Sequence, residues 1–183
     1  MRALTIGTAA PLAFACLGLA ALALAGCERS GEGRDCAAGA KLSRVSGYCV
    51  PRYLSLKRGE VYARKGPGKD YPTLWVYRAK GLPVQVVAET TDWRRICDPD
   101  GGVAWVHRTM LDGRRTVIAT ATRAVPMRRE PRADAPADGL LNARSLASFE
   151  RDKGPWRRVS AGGVTGWVTA EEVWGTAPQA QCR

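Results

Sequence analysis

Beyond about residue 50, apolar residues come in short runs cut by glycine, proline and aspartate. Residues 53–57 read as a short strand leading in. Residues 61–64 alternate, and Gly66-Pro67-Gly68 then forces a turn. Residues 74–77 are apolar throughout, which predicts a buried strand, and Lys80-Gly81-Leu82-Pro83 breaks it. Residues 84–89 form the next strand. In residues 93–97 the alternation sets Trp93, Arg95 and Cys97 on one side. Asp98-Pro99-Asp100-Gly101-Gly102 predicts a hairpin turn. Residues 103–107 return, Arg108-Thr109-Met110 makes one helical turn, and a last strand lies near Leu111 or over residues 116–119. No run after residue 28 sustains a helical period. Several short strands between such turns predict a small barrel of all-β class.

The pattern occurs twice. Val61, Arg64, Pro67, Asp70 and Pro72 coincide with Val125, Arg128, Pro131, Asp134 and Pro136 at an offset of 64. Trp93-Arg94-Arg95-Ile96 is echoed by Trp156-Arg157-Arg158-Val159 at 63, and Trp105-Val106 by Trp167-Val168 at 62. Two single-residue deletions therefore align the halves, each of about 60 residues. The second copy has poorer strands in its middle, around residues 140–144. Units of that size have small cores and little room for an enzyme-sized cleft. A duplication of this kind points to a binding module used twice.

The N-terminus reads as an address. Arg2 precedes an uncharged, nearly all apolar or small stretch, mostly alanine, glycine and leucine, that ends in Leu24-Ala25-Gly26-Cys27. That fits an export signal over residues 1–26 and resembles the lipobox of bacterial lipoproteins. The resemblance implies that Cys27 is acylated, that the chain is held to a bacterial membrane through its N-terminal lipid, and that it faces the periplasm. Residues 27–50 begin polar and glycine-rich and read as a tether.

Of six cysteines, Cys16 lies in the signal and Cys27 is the expected lipid site. Cys36, Cys49, Cys97 and Cys182 remain, an even number in an exported chain, which favours two disulfides. Three connectivities are open; the favoured one joins Cys36 to Cys49 and Cys97 to Cys182, tying the C-terminal tail (176–183) to the first repeat. No Cys-x-x-Cys pair exists and His107 is the sole histidine, so no metal site is expected.

The opening Val-x-x-Arg, the Gly-Pro-Gly-x-x-Tyr-Pro turn (residues 66–72), Trp75-Val76-Tyr77-Arg78, Gly81-Leu82-Pro83-Val84, Trp93-Arg94-Arg95-Ile96 and Ala104-Trp105-Val106-His107 resemble the bacterial SH3-like (Src-homology-3-like) domain. The resemblance is close over residues 51–119 and holds in outline over 120–175. It implies two tandem, partly open five-stranded barrels, and binding or positioning modules of the cell envelope. The second copy departs at Glu130 and Arg132, where the first has Gly66 and Gly68.

The chemistry agrees with a binder. The formal net charge of +11 is compatible with nucleic acid, but an exported chain meets other anions, and no nucleic-acid partner is expected. No Gly-x-Ser-x-Gly, phosphate loop or acidic cluster appears, so neither catalysis nor a cofactor is expected. A Cys97–His107 pair is the one nucleophile-and-base combination available to a small hydrolase. Trp93, Trp105, Trp156 and Trp167 recur between copies and read as barrel positions. Tyr71, Trp75 and Tyr77 have no aromatic counterpart in the second copy, so the common barrel does not require them. Trp75 and Tyr77 share a strand face. With Tyr71 and Arg64 they form the candidate ligand-binding strip. The expected function is a noncatalytic envelope module that recognises a peptide, a peptidoglycan element or an envelope protein. The alternative is a structural lipoprotein that scaffolds an envelope complex.

Overall fold

The computed structural model describes residues 35–182. The expected signal, Cys27 and the first part of the tether lie outside the described residues. Two strands, β1 (Lys41–Leu42) and β2 (Cys49–Val50), pair antiparallel, and Cys36 is disulfide-bonded to Cys49. Over residues 35–50 the expected tether is thus a clipped hairpin. Ser46 donates from its hydroxyl to Glu89 Oε2 at 2.5 Å, which fixes the hairpin to the domain behind it.

The first sheet contains β3 (Arg52–Leu56), β4 (Val61–Arg64), β5 (Thr73–Tyr77), β6 (Pro83–Glu89), β7 (Trp93–Cys97), β8 (Val103–His107) and β9 (Leu111–Asp112), with a 3₁₀ turn over Arg108–Met110. Its order is β5-β4-β8-β7-β6-β3-β9. The second contains β10 (Thr116–Ala119), β11 (Val125–Arg128), β12 (Ala137–Leu141), β13 (Leu146–Lys153), β14 (Trp156–Ala161), β15 (Val164–Thr169) and β16 (Val173–Trp174), with a 3₁₀ turn over Ala170–Glu172. Its order, β12-β11-β15-β14-β13-β10-β16, repeats the first strand for strand. Two tandem SH3-like β domains are the architecture the repeat predicts, with seven short strands in each sheet.

Alternation fills each core. Val61, Val84, Val86, Ile96 and Val106 are fully buried in the first domain, and Val117, Val125, Met127, Val159 and Val168 in the second. Each such side chain stabilises by about 1.5–3 kcal/mol relative to exposure. Two expectations are corrected. Residues 116–119 do not close the first domain: β10 pairs with β13 and β16 and opens the second. Residues 74–77 are not a buried strand: β5 is an edge, paired only with β4, and Leu74 is 46 % exposed.

The described residues fold as one unit in which the domains are packed together. Tyr53 meets Trp174 edge-on, with ring centroids 5.1 Å apart. The Thr116 hydroxyl donates to Gly81 O at 2.7 Å. The buried Gln85 side chain donates to Gln179 O (2.7 Å) and accepts from Gln181 N–H (2.8 Å), and Cys182 is bonded to Cys97. The tail thus returns across the outer face of β6 and β7. Both favoured disulfides form.

Candidate functional site

The expected strip is taken apart by the pleat. Trp75 and Tyr77 lie opposite Ala63 and Val61 in the β4–β5 ladder, and both of those are 0 % exposed. Directly opposed residues share a sheet face, so Trp75 and Tyr77 point into the core. Tyr77 is buried, and its hydroxyl donates to Asp98 Oδ2 at 2.8 Å. Burial, reinforced by the Asp98 charge, pushes that hydroxyl far above the ordinary tyrosine range. Trp75 packs on the same cluster and meets Tyr77 edge-on at 5.9 Å. Tyr71 is exposed, but its ring lies over Gly66 and Gly68; a Cβ on Gly66 would come within 2.3 Å of it.

Each of these aromatics lacks a counterpart because its neighbours changed with it. Tyr71 becomes Ala135, and Gly66 and Gly68 become Glu130 and Arg132, since no ring has to be seated there. Tyr77 and Asp98 become Leu141 and Ala161, an apolar pair in place of a hydrogen bond. Trp75 becomes Gly139, and Val164 fills the space, within 3.0 Å of where a Cβ would sit. Arg64 also has a structural duty shared by both copies: its Nη1 donates to Tyr71 O at 2.9 Å, as Arg128 Nη1 donates to Ala135 O at 2.7 Å.

A groove lies on the opposite, outward face of the first sheet. Tyr62 and Arg64 of β4, Lys69 of the β4–β5 loop, Trp93 of β7, His107 of β8, and Thr109 and Met110 of the 3₁₀ turn line a cavity of about 370 Å³. Register explains the convergence. Arg64 lies opposite Trp105, and Trp93 lies opposite His107, so these outward positions stand side by side across β4, β8 and β7. Tyr62 is 51 % exposed, and its hydroxyl donates to Glu60 Oε1 at 3.0 Å. That bond and the Arg78 guanidinium hold the Glu60 carboxyl below its usual range. Trp93 meets the His107 ring edge-on, with centroids 5.3 Å apart. His107 Nδ1 accepts from Thr109 N–H (3.4 Å), with the Thr109 hydroxyl 2.7 Å away. With Nδ1 engaged by Thr109, Nε2 is the ring nitrogen left for a ligand. Of the four expected binding residues, only Arg64 lines this groove. Tyr62, Lys69, Trp93, His107 and Met110 were missed, although Tyr62 meets the same criterion as Tyr71: its counterpart is Pro126.

The second domain does not repeat the groove. Lys69, His107, Thr109 and Met110 are replaced by Ala133, Thr169, Glu171 and Glu172. Trp167, the repeat counterpart of Trp105, is buried beneath the Arg151 guanidinium, 5.5 Å from its ring centre.

The hydrolase pair is not assembled. Cys97 is fully buried and disulfide-bonded. It lies opposite Val103, whereas His107 lies opposite Trp93 at the far end of the same hairpin. Four strand residues separate the two positions, about 13 Å. Among the described residues no three His, Cys, Asp or Glu side chains are grouped to hold a metal ion.

The family described as bacterial SH3 domain matches twice, over residues 57–113 and 121–175. No curated protein matches the chain. Solved structures of NlpC2 and NlpC1 from Trichomonas vaginalis are similar at 13 % and 12 % identity, over 70 % and 74 % of this chain, each with a TM-score of 0.31. This chain spans about half the length of each, 49 %.

Proposed function

The chain belongs to the bacterial SH3 domain family, in two tandem copies, and from that premise we propose that it is a noncatalytic cell-envelope module that binds a peptide or peptidoglycan element through the first domain. The observation that carries this reading is the groove between Tyr62 and Trp93, which the second domain lacks. An aromatic floor with cationic side chains suits a ligand with both apolar and polar parts. The second domain supports the first through their shared interface and the returning tail. The two disulfides favour an oxidising compartment. With Cys27 as lipid anchor, the protein is held at a bacterial membrane and faces the periplasm.

Retention on purified cell-wall sacculi tests the reading. The intact protein is retained. Tyr62→Ala, an exposed substitution outside the core, reduces retention at least fivefold, while Trp156→Ala in the second domain does not. Equal retention of the Tyr62 variant and the intact protein removes the groove as the binding surface.

A further inference from the structure

The groove in the first domain is basic in a way the equivalent region of the second domain is not. Lys69 is exposed at the loop, with no ion pair among the described residues. Arg64 commits Nη1 to the loop carbonyl and stands over the Tyr62 ring, 6.0 Å from its centre. His107 engages Thr109 through Nδ1, which leaves Nε2 for a ligand. No carboxylate lines the cavity, and Glu60 at its rim is held by Arg78 at 2.8 Å. Duplication supplies the control. In the equivalent region of the second domain the lysine and histidine are gone and two glutamates, Glu171 and Glu172, have arrived. Barrel architecture is the same in both, so Lys69 and His107 are not needed for it, whereas Arg64 keeps a structural duty in both copies.

We propose that this groove binds the carboxylate end of a short peptide, with the carboxylate between Lys69, Arg64 and His107 and the preceding small side chain against Tyr62 and Trp93. The inference rests on the groove being the binding surface. Charged donors on a carboxylate are stronger than neutral ones, and a cavity of about 370 Å³ is at the small end for ligand sites. It suits a chain end better than a long extended segment.

The test is calorimetric titration of the full chain with three probes: N-acetyl-alanyl-alanine as the free acid, the same dipeptide as its C-terminal amide, and N-acetyl-aspartyl-alanine amide, whose only carboxylate is a side chain. The free acid should bind at least tenfold more tightly than either amide. Lys69→Met, at an exposed loop position, should weaken the free acid at least fivefold, and Lys69→Arg should restore it. Equal binding of free acid and amide overturns the inference, as does an aspartyl amide that binds like the free acid, or no heat from any probe. If sacculus retention depends on Tyr62 while amidation and Lys69→Met change nothing, the carboxylate falls and the groove stands. If retention does not depend on Tyr62, both fall.

Discussion

Tyr77 shows how a single side chain separates packing from recognition. It is an aromatic with no aromatic counterpart in the repeat, yet it is buried and bonded to Asp98. Asp98 also accepts from Asp100 N–H (2.9 Å) and Gly102 N–H (2.7 Å), so the tyrosine hydroxyl completes a turn and does not face a ligand. Tyr77→Phe should therefore cost about 1.5–3 kcal/mol, the range for a hydrogen bond to a charged group, as read by urea denaturation. It should leave ligand binding unchanged. Tyr62→Ala should do the reverse, because its exposed ring adds little to the core. Comparison of the two copies reveals which residues are free to differ only when compensating neighbours are compared with them. Tyr71 with its glycines, Trp75 with Val164 and Tyr77 with Asp98 each changed as a set. Period-two alternation was legible in residues 61–64. Applied across the ladder to β5, it would have put Trp75 and Tyr77 inward and Tyr62 outward.

At the scale of elements, the clasp between the N-terminal hairpin and the first domain depends on one carboxylate. The Glu89 side chain is 1 % exposed and ion-paired to Arg52 and, at 2.8 Å, to Arg94. Burial alone would raise its pKa, but hydrogen bonds from Arg52 and the nearby serines outweigh that and hold it below the usual range. A carboxyl lowered in the folded chain contributes fully above its unfolded pKa of about 4.3. That contribution is lost as pH falls through the lower folded value. Glu89→Gln should cost about 3 kcal/mol at pH 7, because two arginines lose their counter-charge. Its stability should also fall less steeply than the intact protein's on going from pH 5 to pH 3, as read by urea midpoints across that range. The hairpin of residues 35–50 was hidden in the sequence because its strands are only two residues long, too short to show an alternation. What orders it is a disulfide and a distant glutamate, neither of which has local periodicity. β13 was also missed. Its register shifts between Phe149 and Arg151, so the charged stretch that follows has no clean alternation.

Across the whole molecule, two small domains gain stability by closing on each other. On the chain-entropy model, the Cys97–Cys182 bond, spanning 85 residues, stabilises by about 4.6 kcal/mol, against about 3 kcal/mol for Cys36–Cys49, spanning 13. Replacing both Cys97 and Cys182 by serine should therefore lower the unfolding free energy more than replacing Cys36 and Cys49. It should also free the tail from Gln85, seen as faster amide exchange at Gln181. Fold class, duplication and the presence of two disulfides were legible because strand alternation, turn residues and an even cysteine count are local or countable; the count left three pairings open, and the favoured one forms. The boundary at β10 was not, because a strand of Thr-Val-Ile-Ala has no mark of which sheet it joins. The groove was not legible as a site because its lining comes from three strands, a loop and a 3₁₀ turn, and only register brings them together.

The most direct measurement is amide chemical-shift mapping of the full chain during titration with solubilised peptidoglycan fragments. Shifts concentrated at Tyr62, Lys69, Trp93, His107 and Thr109, with none at Trp156 or Thr169, are the predicted result. Shifts concentrated on the second domain, or none anywhere at saturating fragment, would contradict the account.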